Sequence, residues 1–159
     1  MKKTIIYVLS MFLILGFSIV KASEYAVFSH GFIKNFKDCD KFEETTNSTY
    51  NGDSFTEKSE ILGWENGFCH YRTTIVSKDT GYRLECMFSD IQVEELYNAM
   101  RDKSRTVSEY KMDLFKPVDS NDGEITYKKA ADTIIKGNKG YIAWTKYQNN
   151  PYFCRPYKL

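Results

Sequence analysis

The chain has few of the residue patterns from which chemistry is usually read. Its four cysteines include no C-x-x-C pair, which excludes a thioredoxin-like redox site and a zinc knuckle. Of its two histidines, His30 has no second histidine or cysteine at ligand spacing, and it reads as a helix-surface or core residue rather than a metal ligand. No cysteine precedes Cys39, so a lipoprotein-type acylated cysteine has no place to form. Internal repeats and low-complexity segments are also missing, and no catalytic, metal or cofactor motif survives inspection.

What the amino terminus does carry is an export signal. Lys2 and Lys3 form a basic n-region, and Ile5 to Val20 is an apolar run broken only by Ser10, Gly16 and Ser18. Val20-Lys21-Ala22 then places small or modest side chains where a signal peptidase reads, so cleavage is expected after Ala22, with Ser23 the first mature residue. The sixteen-residue run is shorter than the ~20 residues that span a bilayer as a helix. The chain therefore divides into a signal peptide, 1–22, and one globular domain, 23–159, destined for the periplasm or the medium with no stable membrane anchor after cleavage.

Losing the signal changes the charge. With Lys2, Lys3 and Lys21 removed, 19 of the 22 basic residues remain against 21 acidic ones, a mature net charge of −2. Such a balance lacks the basic footprint of a nucleic-acid binder or a polybasic membrane-surface protein. The mature 137 residues hold 22 aromatic side chains, which favours a folded core over disorder.

Cys39, Cys69, Cys86 and Cys154 all lie in the exported part, and an even count there reads as two disulfides. Between Ser54 and Ser89 the sequence alternates and is punctuated by turns, the mark of an antiparallel meander. Asn66-Gly67 predicts a two-residue hairpin, setting Glu65 opposite Phe68, Trp64 opposite Cys69 and Leu62 opposite Tyr71. If Asp79-Thr80 centres the second turn, Ile75 faces Leu84, Thr73 faces Cys86 and Tyr71 faces Phe88. One face then holds Leu62, Trp64, Cys69, Tyr71, Ile75, Tyr82, Leu84, Cys86 and Phe88. His70, Arg72, Thr74, Arg83 and Glu85 point the other way. On this register Cys86 lies four residues, or ~13 Å, from the level of Cys69, beyond the ~7 Å a disulfide tolerates between α-carbons. Each strand cysteine is expected to bond to Cys39 or Cys154 in the covering layer, and both such pairings remain open.

That layer is expected to be helical. Tyr25, Phe28, Phe32 and Phe36 recur at helical intervals, although Gly31 is unfavourable among them. Ser89 or Asp90 can cap a second helix running to about Lys103, with Val93, Leu96, Tyr97 and Met100 on one side. Tyr141, Trp144 and Tyr147 fit a third, stopped before Pro151. Residues 104–140 read only as a polar exposed loop around 119–124 flanked by segments of ambiguous period. The fold class is α+β: a three-stranded antiparallel meander, helices packed on one face, and two disulfides joining the layers.

Several constellations invite chemistry and have plainer readings. Asp79-Thr80-Gly81 matches the aspartic-protease triplet, but Ser77-Lys78 precede it where apolar residues belong, and Asp-x-Gly is ordinary turn chemistry. His70, Arg72, Arg83 and Glu85 could serve a phosphodiester-cleaving acid/base site on the outer sheet face, or simply form cross-strand charge pairs. Asp119, Asn121, Asp122 and Glu124 suggest calcium, yet glycine falls at the fifth place and no glutamate stands at the twelfth. Asn47-Ser48-Thr49 is a glycosylation sequon, relevant only in a eukaryotic source. The stripe Tyr141, Trp144, Tyr147 could stack on sugars, or be core.

Three ordered blocks resemble a group of small exported bacterial proteins sharing G-W-x-x-G-x-C-x-Y, C-x-F and W-x-x-Y-x-x-x-P-x-x-C. Here they are Gly63 to Tyr71, Cys86 to Phe88, and Trp144 through Tyr147 and Pro151 to Cys154. The resemblance covers roughly half of the mature chain, implies a bacterial source and a shared disulfide framework, and carries no catalytic residue. The expected function is a non-enzymatic binding or interaction module of the cell envelope or secreted fraction, with a protein or glycan partner and no cofactor. The alternative is a small secreted phosphodiesterase-like hydrolase working from the outer sheet face. Amino-terminal sequencing of the exported protein should begin at Ser23, and a membrane-bound form still starting at Met1 would show an uncleaved anchor instead.

Overall fold

The computed structural model describes residues 28–50, 52–78, 80–104, 106–119 and 125–159. The signal peptide, its cleavage point at Ala22 and Ser23, Tyr25, Asp79 and the loop residues Asn121, Asp122 and Glu124 lie outside the described residues.

Helix α1, His30–Phe36, is opened by Ser29, whose Oγ accepts the Phe32 N–H at 2.9 Å. It closes with the Asp40 N–H on the Asn35 carbonyl at 2.9 Å and the Cys39 N–H on the Phe36 carbonyl at 3.2 Å. This is the Schellman pattern, and Cys39 occupies its left-handed position with φ 54°. Glycine usually stands there, since a β-carbon costs about 1–2 kcal/mol in that conformation. A cysteine stands here instead because its side chain forms the disulfide with Cys69.

The sheet is larger than the expected meander. Strands β1 (Phe42–Tyr50), β2 (Asp53–Glu65), β3 (Phe68–Val76), β4 (Gly81–Phe88) and β7 (Cys154–Lys158) form one antiparallel sheet in the order β1-β2-β3-β4-β7. Strands β5 (Ser108–Asp119) and β6 (Ile125–Gly137) form a separate hairpin, so the described residues hold seven strands in two sheets. Segment 104–140 is thus mostly strand. Its period is obscured because β5 and β6 alternate buried Met112 and Ile135 with charged residues paired across the ladder, such as Lys136 with Glu109 at 2.6 Å and Lys111 with Asp132 at 2.8 Å.

The first hairpin turn keeps the expected register and a bulge beyond it does not, while the second turn shifts its whole ladder. Asn66 (φ 52°) and Gly67 (φ 82°) take the positive angles of the two-residue turn, and Trp64 does face Cys69. Past Gly63, however, a bulge puts Ile61 rather than Leu62 opposite Tyr71. Gly63 makes this possible at φ 99°, and Ile61 becomes the buried residue. Trp64 is 46% exposed rather than core, and its Nε1–H donates to the Asp38 carbonyl at 2.9 Å, bracing the turn that carries Cys39.

The second connection takes four residues. The Ser77 N–H bonds the Thr80 carbonyl at 2.8 Å and the two hydroxyls bond each other at 2.9 Å, so the ladder closes at Val76 and Gly81. Ile75 therefore faces Tyr82, Thr73 faces Leu84 and Tyr71 faces Cys86. The slip is two residues, an even number, so the inward set Cys69, Tyr71, Tyr82, Leu84, Cys86 and Phe88 is unchanged and buried.

The disulfides are Cys39–Cys69 and Cys86–Cys154. Only the first joins two layers. Cys154 begins β7 directly opposite Cys86, with α-carbons 4.0 Å apart, so the second bond staples neighbouring strands of one sheet instead of tying a strand to a covering helix.

Helix α2, Asp90–Arg101, is capped at Ser89, whose N–H bonds the Gln92 Oε1 at 2.8 Å, and it buries Val93, Leu96 and Met100. Helix α3, Lys139–Gln148, is capped by Asn138, whose Oδ1 accepts the Tyr141 N–H at 2.9 Å, and it buries Trp144 and Tyr147. The Tyr147 hydroxyl donates to Glu95 at 2.6 Å, tying α3 to α2. Trp144 lies within 5.1 to 5.9 Å of the rings of Phe28, Phe32, Phe36, Tyr71 and Phe88, centroid to centroid. Among the described residues no helix is long and apolar enough to cross a membrane.

Removing the indole opens a void among five rings that cannot all collapse inward. Trp144→Ala should lower the unfolding free energy by about 3–5 kcal/mol with both disulfides intact, measured by urea denaturation. A loss under about 1 kcal/mol would mean the cluster does not hold the layers together.

Candidate functional site

A sheet covered on one side normally buries an apolar face, and part of this one does not. Along the row Phe42, Ile61, Tyr71, Cys86 and Cys154 the inward residues are apolar. The next inward row begins Glu44, Ser59, Thr73, and the one after it Thr46, Glu57, Ile75. These two rows put two carboxyls and three hydroxyls where a core would continue.

The polar patch is left open by the way the helices lie. Tyr141, Trp144, Thr145 and Gln148 recur at i, i+3, i+4 and i+7, so one stripe of α3 forms a wall, and Phe28 and Phe32 form another. Between these walls and the inward residues of β1, β2 and β3 is a cavity of about 240 Å³. Thr46 is the exposed residue of the described lining, whereas Glu44, Glu57 and Ser59 are half-buried.

Hydrogen bonds hold the floor in place. The Thr73 hydroxyl donates to Glu57 Oε1 at 3.2 Å, and Ser59 Oγ shares a hydrogen bond of 3.2 Å with the Tyr71 hydroxyl. Burial raises the Glu57 carboxyl above its ordinary value of 4.5, the Thr73 bond opposes the rise, and the Glu44 charge adds to it. Burial likewise pushes the Tyr71 phenol upward, opposed by its bond to Ser59 and helped by the charge on Glu57. Glu44 and Glu57 are the charged residues of the lining among the described residues, with no lysine, arginine or histidine beside them there. Trp144, 4% exposed, has an indole N–H with no acceptor among the described residues.

The outer sheet face is built differently. Arg72 Nε meets Glu85 at 3.2 Å, Arg83 lies 3.8 Å from the same carboxylate oxygen, and Lys58 bridges Glu43 and Glu60 at 2.9 Å each. The arginines and Glu85 are thus brought together as a ladder of partly exposed ion pairs, each worth ~0–1 kcal/mol. The His70 side chain makes no hydrogen bond or ion pair among the described residues, so it is not joined to that ladder. His30 is exposed on α1, and Asn47 is exposed on the edge strand β1, its Oδ1 accepting the Thr56 hydroxyl at 2.9 Å. Of the aromatic stripe, Trp144 and Tyr147 are core, and Tyr141 reaches the cavity. The four cysteines are the staples described above, and no group of three His, Cys, Asp or Glu gathers among the described residues.

Sequence reading missed Glu44, Thr46, Glu57 and Ser59. Period two carried back from Leu62 points Glu60 and Lys58 inward, whereas carried back from Ile61 it points Ser59 and Glu57 inward. A bulge at Gly63, suggested by a glycine inside a strand, is the signal that would have recovered them.

No protein-family model, no curated protein and no solved structure matches the chain.

Because the folded state holds the Glu57 proton more tightly than the unfolded chain, it keeps more of that proton than the unfolded chain does as pH rises from 4.5 to the raised value, and stability falls across that window. Glu57→Gln should be more stable than the wild type at neutral pH, with the difference vanishing in acid below that window. Equal stability at every pH would show that the carboxyl is not strained by burial.

Proposed function

We propose that this chain is an exported, non-enzymatic binding module whose ligand occupies the cavity between the inner sheet face and helices α1 and α3. The observation that carries the reading is the polar pair of rows, Glu44 with Ser59 and Thr46 with Glu57, on the face that elsewhere is core. Polar residues at inward positions cost stability, and they are retained where a site needs them. A concave pocket that sets aromatic walls against convergent polar groups has features of a small-molecule site.

Two disulfides are consistent with an oxidising compartment outside the cytoplasm. They also make the cavity walls rigid, since Cys39–Cys69 ties the end of α1 to β3. Membership of the exported bacterial group with the same three blocks is part of the proposal, as is its bacterial source.

Thr46→Trp should fill the cavity from its exposed side without touching the buried cluster. A panel of sugars, amines, amino acids and nucleosides, read by thermal shift and ligand-observed NMR, should contain compounds that stabilise the wild type and leave this variant unmoved. At one hundred times its Kd a ligand adds ~2.7 kcal/mol, an easily read shift. A panel in which no compound distinguishes the two proteins would remove the binding reading.

A further inference from the structure

The cavity has the wrong charge for most metabolites, and this narrows what it takes. Glu44 and Glu57 sit on diagonal positions of neighbouring strands, near enough for the charge on one to act on the other. Among the described residues no cationic side chain lines the space, so an anionic ligand would meet two carboxylates with nothing from that lining to offset them. In a partly enclosed volume such interactions are screened less than at the surface. A ligand carrying positive charge relieves the repulsion that the fold leaves standing.

The rest of the lining indicates the kind of cation. The rings of Phe28, Phe32, Tyr141 and Trp144 present π-faces and edges, which suit an organic ammonium far better than a metal ion seeking several oxygens. Thr46, Ser59, Thr145 and Gln148 add neutral hydrogen-bonding groups to the lining, which suit hydroxyls carried beside the ammonium. With a water's share of liquid at ~30 Å³, about 240 Å³ corresponds to about eight waters, room for one ring or one short chain.

Resting on the binding reading above, we propose that the cavity is a site for a small hydroxyl-bearing organic ammonium ion, the chemistry of an amino sugar or an amino alcohol. The ammonium pairs with Glu57 and Glu44, the hydrocarbon part lies against the aromatic walls, and the hydroxyls meet the neutral polar side chains of the lining.

The test is calorimetric titration of the disulfide-intact mature protein with glucosamine, ethanolamine, glucose and N-acetylglucosamine at neutral pH. Glucosamine or ethanolamine should bind at least about tenfold more tightly than the two neutral sugars, and Glu57→Gln and Glu44→Gln should each weaken that binding by about tenfold or more. Preference for glucosamine over ethanolamine assigns the amino-sugar source, and the reverse assigns the amino alcohol. Because Glu57→Gln is expected to fold more stably at neutral pH, lost binding in that variant would not come from unfolding, and circular dichroism confirms it. If the neutral sugars bind as tightly as glucosamine and the glutamine variants retain them, the cation proposal fails while the cavity stands as a site. If none of the four binds at millimolar concentration, the proposal fails as well, and the Thr46→Trp comparison decides separately whether the cavity binds anything.

Discussion

Trp144 is the side chain on which the layers meet. It projects from α3 into rings contributed by α1 and its approach, by β3 and by β4, so one indole joins two of the covering helices to two strands of the sheet. The aromatic pairs around it are each worth ~0.5–1.5 kcal/mol beyond burial, and they are directional, so they set how the helices lie as well as how tightly. The two disulfides flank this cluster without replacing it. Cys39–Cys69 anchors the end of α1, and Cys86–Cys154 holds the final strand to the sheet.

The same indole fills one end of the inner face and walls the cavity at the other. From the cysteine row toward the Ser77 turn, the inward residues change from apolar to polar, and the helices do not follow them down. Glu57 carries the consequence. Burial disfavours its charge and Glu44 adds to the effect, while Thr73 recovers part of the loss through one hydrogen bond. The fold is less stable for keeping a carboxyl there, which is the mark of a residue held for something other than folding. The outer face shows the opposite economy, since Arg72, Glu85, Lys58 and Glu60 neutralise one another in place.

Much of the scaffold was legible because its signals are local. Asn66-Gly67 specified a hairpin, Ser89 or Asp90 marked the start of α2, and the spacing of Tyr141, Trp144 and Tyr147 specified α3. Strand β1 was not legible, because Phe-Glu-Glu-Thr-Thr-Asn-Ser-Thr-Tyr has no apolar alternation: its inward residues are the polar lining of the cavity. Strand β7 was hidden by its length and by Pro156, which an edge strand tolerates. The long β5–β6 hairpin was hidden by paired charges and by a second bulge at Leu114 and Phe115, which breaks the period halfway along.

By itself the sequence determined the elements with short-range causes and the inward face of the central strands. The inward set survived a register error because the error was an even number of residues and parity decides which face a strand residue takes, whereas the observed register brings Cys86 to within two residues of the level of Cys69, and each is bonded elsewhere, to Cys154 and Cys39. Only the tertiary structure decided that Cys154 sits in the sheet, that Ile61 replaces Leu62 in the core, and that Glu44 and Glu57 share a cavity. Each of those depends on a single bulge or on strands brought together across the chain. A one-residue insertion reverses every side chain beyond it, and partners far apart in sequence leave no local trace of having met.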